Sequence, residues 1–137
     1  MIPTKIRRQH VRVDALFLWC IDPHFRAALW DLEKEFNLRP DRVDIIKTPG
    51  GAKALTEEGH EQYELLRQIG TSIGLHRPKL LIPMFHVDCG AYKHLQASKQ
   101  KERKFFTREV QRAKEALRPF RVPVRPVIVD FDKILVF

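Results

Sequence analysis

The chain has 137 residues, 44% of them hydrophobic and 31% charged, enough for one core but not comfortably for two. Its net charge of +8, from 25 Lys and Arg against 17 Asp and Glu, gathers anions from bicarbonate to nucleic acid without choosing among them. No apolar run approaches the roughly 20 residues that cross a bilayer, and the basic start MIPTKIRRQH lacks the roughly 7–15-residue apolar stretch of a signal peptide, so a cytoplasmic protein without a membrane partner is expected.

Residues 1–12 read as a basic N-terminal arm, and 13–137 as a single α/β domain. Val13 to Cys20 is a strand whose buried-type run, Ala15 to Trp19, stops at Cys20, with Asp22 two residues later. Asp22-Pro23 is a helix start, because Asp caps well and Pro suits the first helical position. Phe25, Ala28, Leu29, Leu32 and Phe36 then form one apolar stripe that stops before Arg39-Pro40. Arg42 to Lys47 is a short β-branched strand, and Thr48-Pro49-Gly50-Gly51 is a turn whose glycines allow close backbone approach. Thr56, with Glu57 and Glu58 behind it, is expected to cap a helix that buries Tyr63, Leu66, Ile69 or Gly70, and Ile73 and ends near Leu75.

After Pro78, the run Leu80, Leu81, Ile82, Met84, Phe85 is a second buried-type strand, and it stops at His86. Asp88 is expected to cap a helix from about Gly90, which Ser98 restarts or re-caps. Phe106, Val110, Ala113 and Leu117 repeat at helical spacing until Pro119 ends the element. Val124 to Asp130 and Lys133 to Phe137 close the chain as two strands about a tight turn at Phe131-Asp132. The order β-α-β-α-β-α-β-β implies a mainly parallel, twisted sheet, about four parallel strands plus an antiparallel C-terminal edge strand, with helices on both faces.

Two strands thus deliver metal-type ligands at their C-terminal ends, where sites form in an open α/β sheet. Cys20, Asp22, His86 and Cys89 supply two thiolates, an imidazole and a carboxylate; this soft set suits tetrahedral zinc and argues against magnesium or calcium. The pattern HxxC is weak alone, and so is CxD. Together they end two buried-type strands and use every cysteine in the chain. Such a pair is no disulfide framework in a reducing compartment. His10, His60, His76 and His94 carry no ligand spacing and read as surface residues. The excess charge at Lys5 to Arg12 and Lys93 to Arg121 reads as solvated faces, so nucleic acid is not an expected partner.

These residues resemble the β-class carbonic anhydrases, which carry Cys-x-Asp-x-Arg after the first strand, Arg-Asn-Ala-Gly after the second and His-x-x-Cys-Gly after the third. The matching pieces are CIDPH (Cys20, Asp22, His24), KTPGG (Lys47 to Gly51) and HVDCG (His86, Cys89, Gly90), and the closing VRPVIVDFDKILVF resembles the family's terminal strand pair. The resemblance implies zinc held by Cys20, His86 and Cys89 and a zinc-bound hydroxide oriented by Asp22 for attack on CO2 or a related small substrate; the Gly50 and Gly51 amides either contact bicarbonate or, as the first reading, form a plain turn. It also implies a homodimer or higher homo-oligomer. His24 stands where the family has Arg, the cation that keeps the carboxylate off the metal. With His24 in that place, Asp22 is expected to reach the zinc at neutral pH and hydration to be slow or absent unless Arg26 or a partner's Arg takes over; otherwise His24 passes a proton to solvent or is only a polar residue of the first turn. Two alternatives stay open: a non-catalytic zinc domain closed by Asp22, with a basic surface for an anionic partner, and a redox pair of Cys20 and Cys89.

Overall fold

The computed structural model describes residues 1–6, 11–92 and 98–137. His10, His94 and the start of the second basic run at Lys93 lie outside the described residues. Strands β1 (Ala15–Cys20), β2 (Val43–Thr48), β3 (Leu81–His86), β4 (Val127–Val129) and β5 (Ile134–Val136) form one sheet in the order β2-β1-β3-β4-β5. The first four are parallel, and β5 pairs antiparallel with β4 as the edge strand. Every residue of β1 and β3 is buried. Both are interior strands, covered on both faces, so their sequences run apolar without alternation.

The chain leaves β1 for β2 on one side and then returns past β1 to β3 on the other. Right-handed crossovers in opposite directions require helices on opposite faces. The contacts show this arrangement. Helix α1 (Arg26–Glu35) is entered through a 3₁₀ turn, Pro23–Phe25, on the Trp19 face, where Trp19 Nε1 donates to the Phe25 carbonyl at 3.1 Å. Helix α3 (Lys99–Leu117) lies on the other face, with Phe106 and Phe85 ring centroids 5.9 Å apart. Its residues Phe106, Val110, Ala113 and Leu117 are fully buried; each such large side chain contributes about 1.5–3 kcal/mol. Helix α2 (His60–His76) shares that face, tied to β2 by Ser72 Oγ donating to Asp44 Oδ2 at 2.6 Å.

Four local expectations need correction. Helix α2 starts at His60 after Gly59, not at Thr56, because residues Gly51–Thr56 make a 3₁₀ segment in which the Thr56 hydroxyl donates to the Lys53 carbonyl. Its buried face is Leu65, Ile69 and Ser72, while Tyr63 is 65% exposed. Asp88 caps no helix: it sits at φ 52 in a turn, its N–H bonded to Glu102 Oε1, and Gly90–Tyr92 is a single 3₁₀ turn. Ser98 caps α3 instead, its hydroxyl accepting from the Lys101 N–H. His76 is half-buried and bonded to Asp44, with Nδ1 2.7 Å from Oδ2.

Candidate metal centre

Because β2 and β3 flank β1 on opposite sides, the strand order reverses between β1 and β3, and the crevice beyond their carboxyl ends is where such sheets bind ligands. Strand β1 stops at Cys20 because Asp22 and Pro23 turn the chain: Pro23 has no N–H to continue a ladder, and Asp22 Oδ1 accepts the His24 N–H at 2.9 Å. Strand β3 stops at His86, and the left-handed Asp88 folds the chain back so that Cys89 returns beside it. The Sγ atoms of Cys20 and Cys89 and a ring nitrogen of His86 all lie within 4.8 Å of one another, and all three residues are buried.

The ring of His86 is fixed from two directions. Its Nδ1 lies 2.7 Å from the Val87 carbonyl, a bond that requires the proton on Nδ1 and leaves a lone pair on Nε2. Phe25 stacks on the ring at 3.9 Å and 29°. Nε2 itself is buried with no hydrogen-bond partner among the described residues. The two thiols share a proton: the Cys89 thiol and then His86 pull the Cys20 sulfur toward thiolate against the opposing effect of burial, and the N–H groups of Asp22 and Gly50 assist. The same Cys20 sulfur, with burial, pushes Cys89 up, so without a cation the pair keeps one proton. A divalent ion bound between the two sulfurs would replace that proton. Two sulfurs and one preoriented imidazole nitrogen make three donors, a set that fits zinc.

Asp22 lies next to this cluster and outside it. Its Oδ1 takes both the His24 N–H and, at 2.7 Å, His24 Nδ1, and these two bonds hold its carboxyl below the usual carboxylate range. Gly50 and Gly51 reach the centre through the backbone. Both have positive φ, 82° and 63°, and the Gly50 N–H is turned toward the Cys20 sulfur. A Cβ on Gly51 would overlap the Met84 carbonyl oxygen and meet the Cys20 nitrogen at 3.4 Å, so only glycine lets this turn lie against the ends of β1 and β3. Sequence reasoning missed Phe25, taken there only as the start of the α1 stripe. Its contact with His86 crosses sixty residues, and no local spacing signals it. A cavity of about 540 Å³ between α1 and the β4–β5 edge begins at His24 and Phe25, but none of the three donors lines it. It neighbours the centre and is separate from it.

No protein-family model matches the chain, and no curated protein does. Solved structures do. A tetrameric β-carbonic anhydrase from Sordaria macrospora superposes with a TM-score of 0.60 at 12% identity, over 91% of this chain and 80% of that one. A carbonic anhydrase from Streptococcus mutans gives 0.57 at 13% identity, over 98% and 87%. A β-carbonic anhydrase from Trichomonas vaginalis gives 0.53 at 14% identity, over 99% and 86%. The chain has a β-carbonic-anhydrase-like fold.

Proposed function

We propose that the protein is a zinc-dependent lyase of carbonic anhydrase type, adding water to CO2 or a closely related small substrate, with Cys20, His86 Nε2 and Cys89 holding the metal. The observation that carries this reading is the buried Nε2 of His86, with no hydrogen-bond partner among the described residues, clustered with the Cys20 and Cys89 sulfurs within 4.8 Å. Zinc in such a set is a Lewis acid that brings the pKa of water to about 7, making a hydroxide nucleophile available at neutral pH.

The chain's own residues do the rest. His24 occupies Asp22 Oδ1 with a main-chain N–H and a ring nitrogen, which keeps the carboxylate beside the metal position and out of it. Oδ2 then accepts a hydrogen from the attacking water and aims its lone pair at the carbon. The His24 side chain is 83% exposed, so a proton passed to it leaves to solvent. The Gly50–Gly51 turn is the element that would receive bicarbonate oxygens.

A single-bonded imidazole restrains a carboxylate less than a bidentate guanidinium does. Stopped-flow CO2 hydration at neutral pH should therefore show slow turnover in the wild type and a rise of about 10–100-fold in His24→Arg. Full zinc occupancy with no hydration in either protein would sink the lyase reading and leave a closed, non-catalytic zinc domain in which Asp22 is the fourth ligand.

The protein is further proposed to act in the reducing cytoplasm and as at least a dimer. Both cysteines are free, and no helix among the described residues is long and apolar enough to cross a membrane. Ile21, next to Cys20, Phe131, whose ring lies 5.8 Å from that of Phe25, and Trp30 on α1 are 57%, 71% and 57% exposed, apolar surface that a second copy would cover. Light scattering at micromolar concentration should give twice the chain mass or more; a monomer mass contradicts the dimer.

A further inference from the structure

The charge of the molecule is concentrated on one helix and the segment after it. Residues 101–125 hold nine lysines and arginines against three glutamates, six of the chain's net eight positive charges. The fold removes two of those glutamates from the outer face. Glu109 is 3% exposed and paired with Arg112, and Glu102 is turned to the Asp88 N–H. Lys101, Lys104, Arg108 and Arg112, spaced by three, four and four residues, fall on one exposed stripe of α3 about 16 Å long. Among the described residues Lys101, Lys104, Arg108, Arg118, Arg121 and Arg125 enter no ion pair. Arg118, Arg121 and Arg125 are also exposed and carry the charge on toward β4.

We propose that this stripe of α3 is a docking surface for the phosphate backbone of a nucleic-acid duplex. A duplex presents a regular line of charge, about one per 1.7 Å of axis, that a straight row of cations can neutralise. Arginines within the row form the planar, two-pronged donors that suit phosphate oxygens. An anionic bilayer fits less well. Of the large apolar side chains of α3, Phe106, Val110 and Leu117 are fully buried and Phe105 is partly buried, and none of its described residues is an exposed large hydrophobic, so the helix has little to sink below the headgroups. Contacts of this kind position a protein without reading bases, so binding should be independent of sequence.

Fluorescence anisotropy with a labelled random-sequence duplex, titrated across a salt series, tests the proposal. Wild type should bind, with log K falling against log salt by about 0.9 for each phosphate neutralised. The double reversal Lys104→Glu/Arg108→Glu should weaken binding at low salt by about tenfold or more and make the slope shallower by about two. The control Lys34→Glu/Arg67→Glu makes the same change in net charge on α1 and α2 and should bind nearly as wild type; circular dichroism checks that both variants fold. Absence of duplex binding at low salt, equal loss in the control, or binding to phosphatidylserine vesicles in place of duplex would each overturn it.

Discussion

Two histidines end elements at opposite poles of the sheet, and their surroundings differ in kind. His76, the last residue of α2, lies at the amino ends of the strands, where the Asp44 carboxylate takes both its Nδ1 and the Ser72 hydroxyl. His86, the last residue of β3, lies at the carboxyl ends, gives the Nδ1 proton to a main-chain carbonyl and keeps Nε2 buried with no hydrogen-bond partner among the described residues. An unmet buried polar group costs about 1–3 kcal/mol. The amino pole avoids that cost with a carboxylate. The carboxyl pole accepts it, as fits a group that a bound ion would complete. The comparison teaches that the ligand site is marked less by residue type than by which pole leaves a donor or acceptor open.

The largest effect should come from breaking the open pole. Cys89→Ser should lower the zinc content from near one per chain to near zero by mass spectrometry of metals and lower the unfolding midpoint too, since metal-binding free energy is part of folding free energy here. Retention of a full zinc would move the centre elsewhere. At the closed pole, Asp44→Ala leaves Ser72 and His76 without their acceptor. It should cost about 2–3 kcal/mol in denaturant unfolding while the zinc content stays unchanged; loss of zinc as well would mean that the two poles are one unit. The smallest effect concerns Glu33, a buried carboxyl in no ion pair among the described residues, which burial pushes up. A carboxyl raised in the folded state binds its proton more tightly there, so it costs stability above its unfolded pKa and nothing in acid. Glu33→Gln should therefore gain about 0.5 kcal/mol at neutral pH and none below pH ~4.

The interior strands were legible because burial on both faces writes itself as an unbroken apolar run, and the two runs end at the ligands. Helix α3 was legible too, since Phe106, Val110, Ala113 and Leu117 keep their period on a strongly charged background. The phase of α2 was not. Ser72 takes a core position on the strength of its bond to Asp44, twenty-eight residues away, and hydropathy counts serine as a surface residue. Strand β4 came out shorter than its sequence run because Pro126 has no N–H to give the ladder, though Leu81 already pairs with Val124 before it. At the centre, residue types named the donors. The carbonyl that fixes the His86 tautomer and the ring that stacks on it depend on the path of the chain in space.

The three donors come from segments that meet only once β1 and β3 lie side by side. An unfolded chain offers a metal the His86–Cys89 pair alone, with Cys20 far along the chain, so the full set is a product of tertiary structure and not of a local knuckle. A metal bound by all three gains its third ligand late. It cannot nucleate the fold, whose rate is left to the search for long-range strand pairs, and its grip is felt on the way out, as slower unfolding.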